Sequence, residues 1–165
     1  RERFLEVVGQ LREARPDLSI TTDLIVGFPG ETDEDFEQTL SLLHEVPFDG
    51  SFSFRYSPRP GTAALRLPET HDDAKALERL HVLQAQQSEL SLASNQRLEG
   101  RVVEVLVEKT SRQDAKVLAG RTSCFRTVNF AGAEELIGTL VPVRILRGFT
   151  NSLRGELLES DYTAP

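Results

Sequence analysis

Residues 23–32 read Asp23-Leu24-Ile25-Val26-Gly27-Phe28-Pro29-Gly30-Glu31-Thr32, and they decide how the front of this chain folds. Leu24, Ile25 and Val26 form a short unbroken apolar run, the pattern of a strand covered on both faces. Gly27 and Gly30 then admit backbone angles and close approaches that a side chain forbids. Thr32, with Asp35 three residues on, is a capping-box variant that opens a helix through Phe36, Leu40, Leu43 and Val46. Strand, tight loop and capped helix is how α/β proteins build ligand sites at the carboxyl ends of their strands. The loop lacks the Gly-Lys-Ser/Thr ending of a phosphate-cradling loop and the three-glycine spacing of a dinucleotide fingerprint. On spacing alone, a plain connection whose glycines serve only the turn explains it equally well.

Working outward, residues 2–14 place Phe4, Leu5, Val8 and Leu11 at helical spacing, and Pro16 closes that helix. Residues 18–26 are expected as a strand and 33–46 as a helix. Residues 51–56 alternate Phe52, Phe54 and Tyr56 with polar partners, a second strand entered through a turn at 47–50. Strand, helix, strand predicts a parallel pair with a crossover helix. The exit Ser57-Pro58-Arg59-Pro60-Gly61-Thr62 is a second stiff loop. In a parallel pair both loops lie on one edge of the sheet, and their convergence marks a ligand site.

From residue 70 to about 98 the chain reads as one long connecting helix carrying Leu77, Leu80, Leu83, Leu90 and Ala93, interrupted by the polar run 84–88. Pro68 and Gly100 bracket it. His71 and His81 stand ten apart, not the three or four that put two ligands on one face. After Gly100 the rhythm changes. Val103, Val105 and Val107 alternate, and further strands are expected at 117–122, 127–130, 139–148 and 152–158. Five short strands punctuated by glycine predict a small antiparallel OB-like barrel. Such barrels commonly bind nucleic acid through a basic face. Candidates here are Arg101, Lys109, Arg112, Lys116, Arg121, Arg126, Arg144, Arg147 and Arg154. Phe125, Phe130 and Phe149 could stack on bases, although filling the barrel is the commoner fate of such residues.

The net charge of −7 is unevenly spread: residues 1–98 carry 10 Lys+Arg against 17 Asp+Glu, and residues 99–159 carry 9 against 8. An acidic front and a locally basic back predict two modules, 1–98 and 99–160, with different partners. Hydrophobic residues make up 39% of the 165, enough for a real core, and no apolar run nears the roughly 18 residues needed to span a bilayer. The one cysteine, Cys124, cannot form an internal disulfide, which favours a reducing, cytoplasmic setting. The start at Arg1 and the lack of any Met lead us to expect a piece of a longer protein.

Taken together, DLIVGFPGET, FSFRYSPRPGTAA and then GRT, VNF and NSLRGEL, in that order along nearly the whole chain, resemble the carboxyl-terminal part of a radical S-adenosylmethionine methylthiotransferase. The likeness is greatest to members that act on isopentenyladenosine beside the anticodon of tRNA. The resemblance implies that the front is the end of a partial TIM-like barrel and the back an RNA-binding TRAM domain. In such barrels a late strand with a Gly-x-Ile-x-Gly-x-x-Glu pattern lies against the cofactor. Here Asp23 takes the first glycine position and the acidic residue falls one place late, at Glu31. Asp23, Gly27, Phe28, Pro29, Gly30, Tyr56, Ser57 and Arg59 are thereby implied to line the cofactor wall. Among the basic candidates, Arg101, Lys109, Arg112, Arg121, Arg126 and Arg154 are expected to hold the tRNA anticodon stem-loop.

The family also uses two 4Fe-4S clusters, and one cysteine cannot ligate either. The chain is therefore expected to have no catalytic residue or metal site of its own, and to be inactive without the missing amino-terminal part. Its incomplete sheet predicts dependence on that part, or dimerisation through the bare edge. No membrane partner is expected. The alternatives are a sister enzyme acting on threonylcarbamoyl-adenosine in tRNA or on a ribosomal protein, and a non-catalytic RNA-binding adaptor.

Overall fold

The computed structural model describes residues 1–67, 72–111, 114 and 116–158, which form two compact units, Arg1–Leu90 and Ser91–Pro165. The division falls inside the long helix, ahead of the change of sequence rhythm at 98/99. The last turns of that helix therefore go with the barrel.

The first unit contains α1 (Glu2–Ala14), β1 (Thr21–Val26), α2 (Asp33–Glu45), β2 (Gly50–Arg55) and the start of α3 (Asp73–Gln96). Strands β1 and β2 pair in parallel, with Asp23 opposite Phe52 and Ile25 opposite Phe54. Helix α2 starts on the expected capping box. The Thr32 side chain accepts from Asp35 N, and Asp35 Oδ2 accepts from Thr32 N at 3.0 Å. One core joins Val8, Val26, Phe36, Leu40, Leu43, Val46, Phe48 and Leu83. The polar interruption in α3 has a packing reason: buried Gln87 donates to the Phe48 carbonyl at 3.1 Å.

The expectation that 24–26 is covered on both faces fails. Val26 is fully buried, but Ile25 is 54% exposed, and Phe52 and Phe54 on the same face are 65% and 54% exposed. An unbroken apolar run cannot distinguish a strand buried on both faces from one whose second face lies bare in the isolated chain.

The second unit is a closed barrel in the order β3 (Val102–Thr110), β4 (Val117–Thr122), β5 (Thr127–Ala131), β7 (Leu153–Leu157), β6 (Leu140–Gly148), with β6 returning to β3. It is OB-like, as expected, but not wholly antiparallel, because β5 and β7 run parallel. The reason is arithmetic. Directions cannot alternate all the way round a ring of five, so one neighbouring pair must agree. Val105, Val107, Leu118, Val128, Phe130, Val141, Val143, Ile145 and Leu153 fill the interior. Gly120 and Gly155 are needed for close approach, since a Cβ at either would run into the Leu106 or Arg144 carbonyl oxygen.

Two β-bulges break the alternation, one between Val107 and Lys109 and one between Ile145 and Arg147. Lys109 shares the parity of inward-facing Val105 and Val107, and Arg147 that of Val141, Val143 and Ile145. Each bulge turns its basic residue out to solvent.

Candidate functional site

The Gly27–Gly30 loop is held from behind. Gly27 and Gly30 have φ of 70° and 88°, the left-handed region that favours glycine, and a Cβ at Gly30 would meet nothing within 4 Å. Glu31 Oε2 accepts from Gly27 N at 2.7 Å and from Arg79 Nη1 at 2.5 Å. Arg79 Nη2 donates to Asp33 Oδ1 at 2.6 Å, and its guanidinium lies 5.3 Å from the centre of the Phe36 ring. The Arg79 and Glu31 side chains are only 7% and 9% exposed. Burial opposes the charge on Arg79, but its bonds to Asp33 and Glu31 outweigh that and hold the guanidinium above its ordinary value. Asp33 is lowered, first by its hydrogen bond to Lys75 and then by Arg79. Asp35 is lowered by the Thr32 backbone N–H and then by the Thr32 side chain.

The role that sequence left open for Glu31 is thus defined: its carboxylate is committed inward, clamping the loop. Nothing in a sequence reading singled out Arg79, which lies 48 residues away on a helix expected only to connect.

The two strand ends do converge. Tyr56 N donates to the Val26 carbonyl at 2.8 Å, and the Phe28 and Tyr56 rings meet edge to face at 5.1 Å. Asp23 shares the exposed face of Ile25, Phe52 and Phe54. Pro29 is half-buried in the loop, and Ser57 and Arg59 are exposed. The Arg59 carbonyl accepts from Thr62 Oγ1 at 2.8 Å and from Thr62 N at 3.3 Å. A small cavity of about 280 Å³ lies between the loop backbone and the first turns of α3, bounded by Gly27, Gly30, Lys75 and Arg79. A bare apolar sheet face, with Gly30 beside it offering an open Cβ position, suits one wall of an adenosine-sized ligand.

On the barrel, the basic candidates separate by environment. Arg101, Lys109 and Arg154 are exposed, and no ion pair among the described residues engages them. Arg121 is exposed and donates to Glu108 at 3.3 Å. Arg126 is half-buried and ties the β4–β5 turn to the end of α3, donating to Asn95 Oδ1 and, at 3.0 Å, to Ser94 Oγ. Arg112 lies outside the described residues. Phe130 is core, whereas Phe125 is 77% exposed at φ 60°, an uncommon conformation for an aromatic residue. Two arginines cover phenylalanine rings: Arg121 lies 5.9 Å from the centre of Phe125, and Arg147 lies 5.2 Å from that of Phe149.

Buried Asn95 joins the two turns that carry these rings. Its Nδ2 donates to the Phe149 carbonyl at 2.6 Å, and its Oδ1 accepts from Arg126. Sequence reading missed this organising role. A lone Asn near the end of a helix is usually solvated, and only the fold brings both turns to it.

Residues 96–158 match the family model described as TRAM domain. Over 158 residues, 96% of the chain, the sequence is 47% identical to the protein named tRNA-2-methylthio-N(6)-dimethylallyladenosine synthase in Yersinia pestis (strain Pestoides F). It is equally similar to the protein of that name in Yersinia pseudotuberculosis serotype O:1b (strain IP 31758). The chain spans 33% of the length of these relatives. The resemblance read from the motifs therefore holds, and it is to their carboxyl-terminal part.

Proposed function

We propose that this chain, in which a TRAM domain follows a piece of α/β barrel, is the carboxyl-terminal part of a cytoplasmic tRNA-modifying methylthiotransferase. Its substrate would be isopentenyladenosine (dimethylallyladenosine) beside the anticodon. The observation that carries this reading is the 47% identity sustained across both units. S-adenosylmethionine, with iron–sulfur clusters ligated elsewhere in the complete enzyme, supplies the radical chemistry. The residues of this chain bind and orient. Ile25, Phe52 and Phe54 offer an apolar wall, and the Gly27–Gly30 backbone offers a close approach that a side chain would block. Arg79 and Glu31 keep that loop in place. With a single cysteine, the chain depends on the rest of the enzyme for both cluster sites.

The barrel holds RNA. Arg101, Lys109, Arg121 and Arg154 place positive charge around it, and Arg112 and Arg126 complete the set of phosphate-contact candidates. Each phosphate contact releases counterions, so alanine at a contacting position lowers the slope of log affinity against log salt by about one unit. Six single alanine variants, titrated with an anticodon stem-loop at several salt concentrations, test this. Slopes reduced at the exposed positions support the reading, and slopes unchanged at all six overturn it. Assaying the intact parent on isopentenyladenosine and on threonylcarbamoyl-adenosine tRNA separates the substrates.

A further inference from the structure

We infer that the β6–β7 end of the barrel is a nucleotide subsite. An unpaired RNA base stacks on Phe149, and an adjoining phosphate is held between Arg147 and Arg154. The inference rests on the RNA-holding reading above and names the place on the barrel where a base is gripped.

Arg147 and Arg154 are register partners across β6 and β7. Like charges directly opposite one another destabilise a sheet. Nearby arginines avoid this cost, with Arg144 paired to Glu156 at 3.0 Å and Arg121 to Glu108. Among the described residues, no ion pair answers Arg147 or Arg154. The bulge after Ile145 is what turns Arg147 out beside Arg154, so the fold builds this unfavourable pair, and a phosphate between the two would relieve it.

Phe149 adds a stacking surface. The Arg147 guanidinium covers one side of the ring, and 41% exposure leaves room for a base on the other. The adjoining cleft, about 680 Å³, is the size of a small-ligand site and carries Gln96, Asn151 and Ser152, which have donors and acceptors suited to a base edge. The platform is fixed in advance. Phe149 N donates to the Ser152 carbonyl at 2.8 Å, Asn95 Nδ2 donates to the Phe149 carbonyl, and Glu99 Oε1 accepts from Gly148 N at 2.9 Å. The parallel pairing of β5 with β7 brings Phe125 to the same barrel end, where its ring can take a neighbouring base.

The test uses the whole chain, an RNA stem-loop with an unpaired loop, and a fully paired RNA of the same length. Phe149→Ala and Phe149→Leu are each expected to weaken stem-loop binding by roughly tenfold. Neither should change duplex binding or the salt slope. The Arg147→Ala/Arg154→Ala double variant should lower the slope by about one unit. Wild-type protein that binds with salt dependence while both Phe149 variants match it would overturn the subsite and leave RNA binding standing. Equal weakening toward stem-loop and duplex would assign Phe149 to the shape of the turn and also overturn the subsite. Wild-type protein that binds neither RNA would overturn both readings.

Discussion

Replacing Arg79 with methionine is expected to destabilise the Arg1–Leu90 unit by about 3 kcal/mol, because it strands the nearly buried Glu31 carboxylate. Lysine at the same position keeps the charge but not the planar fork that reaches Glu31 and Asp33 together, so it should recover only part of the loss. Adding Glu31→Gln to Arg79→Met removes the stranded charge and should restore more stability than the single variant retains. Urea titrations followed by circular dichroism measure all three. A midpoint unmoved by Arg79→Met would mean the clamp does not hold the loop.

The same cluster sets the sign of a pH effect. Hydrogen bonds from Lys75 and then Arg79 hold the Asp33 carboxyl below its ordinary value of 3.8. Its contribution is therefore fully present above that value and is lost as pH falls through the folded-state pKa. The gap in stability between wild type and Arg79→Met should narrow over that acidic window.

The second large effect is expected at Gly148. A Cβ there would lie 2.5 Å from the Asn95 carbonyl carbon and 2.6 Å from Gln96 N, both backbone atoms that cannot swing aside. Gly148→Ala should cost about 3 kcal/mol in the barrel unit, at the upper end of overpacking penalties. It should also weaken RNA binding by displacing Phe149. Gly9→Ala is the contrasting control. It lies inside α1 with nothing within 4 Å, so alanine there should stabilise by about 1 kcal/mol. A neutral Gly148→Ala would mean that the end of α3 does not pack against the β6–β7 turn in this way.

Local signals were read well from sequence. Helix α1 ends before Pro16, the Thr32–Asp35 capping box opens α2, and the glycine-punctuated valine alternation becomes a barrel, because each depends on neighbours a few residues apart. What depends on distant partners was not legible. Ile25 looked buried because an apolar run does not say which face is covered. Arg79 and Asn95 acquire their roles only when residues 48 and 54 positions away arrive beside them. Lys109 and Arg147 stand at inward parity and face out only because of bulges. A basic residue on the apolar phase of a strand was the one local trace of those bulges, and it coincides with the phosphate-holding surface proposed here.

RNA holding is the role proposed above for the barrel unit. It is tested most directly by titrating an anticodon stem-loop carrying isopentenyladenosine against this chain, following fluorescence anisotropy at several salt concentrations. Saturable binding whose affinity falls steeply as salt rises is the expected result. No binding at low salt, from a sample shown by circular dichroism to be folded, would contradict it and place recognition in the rest of the enzyme.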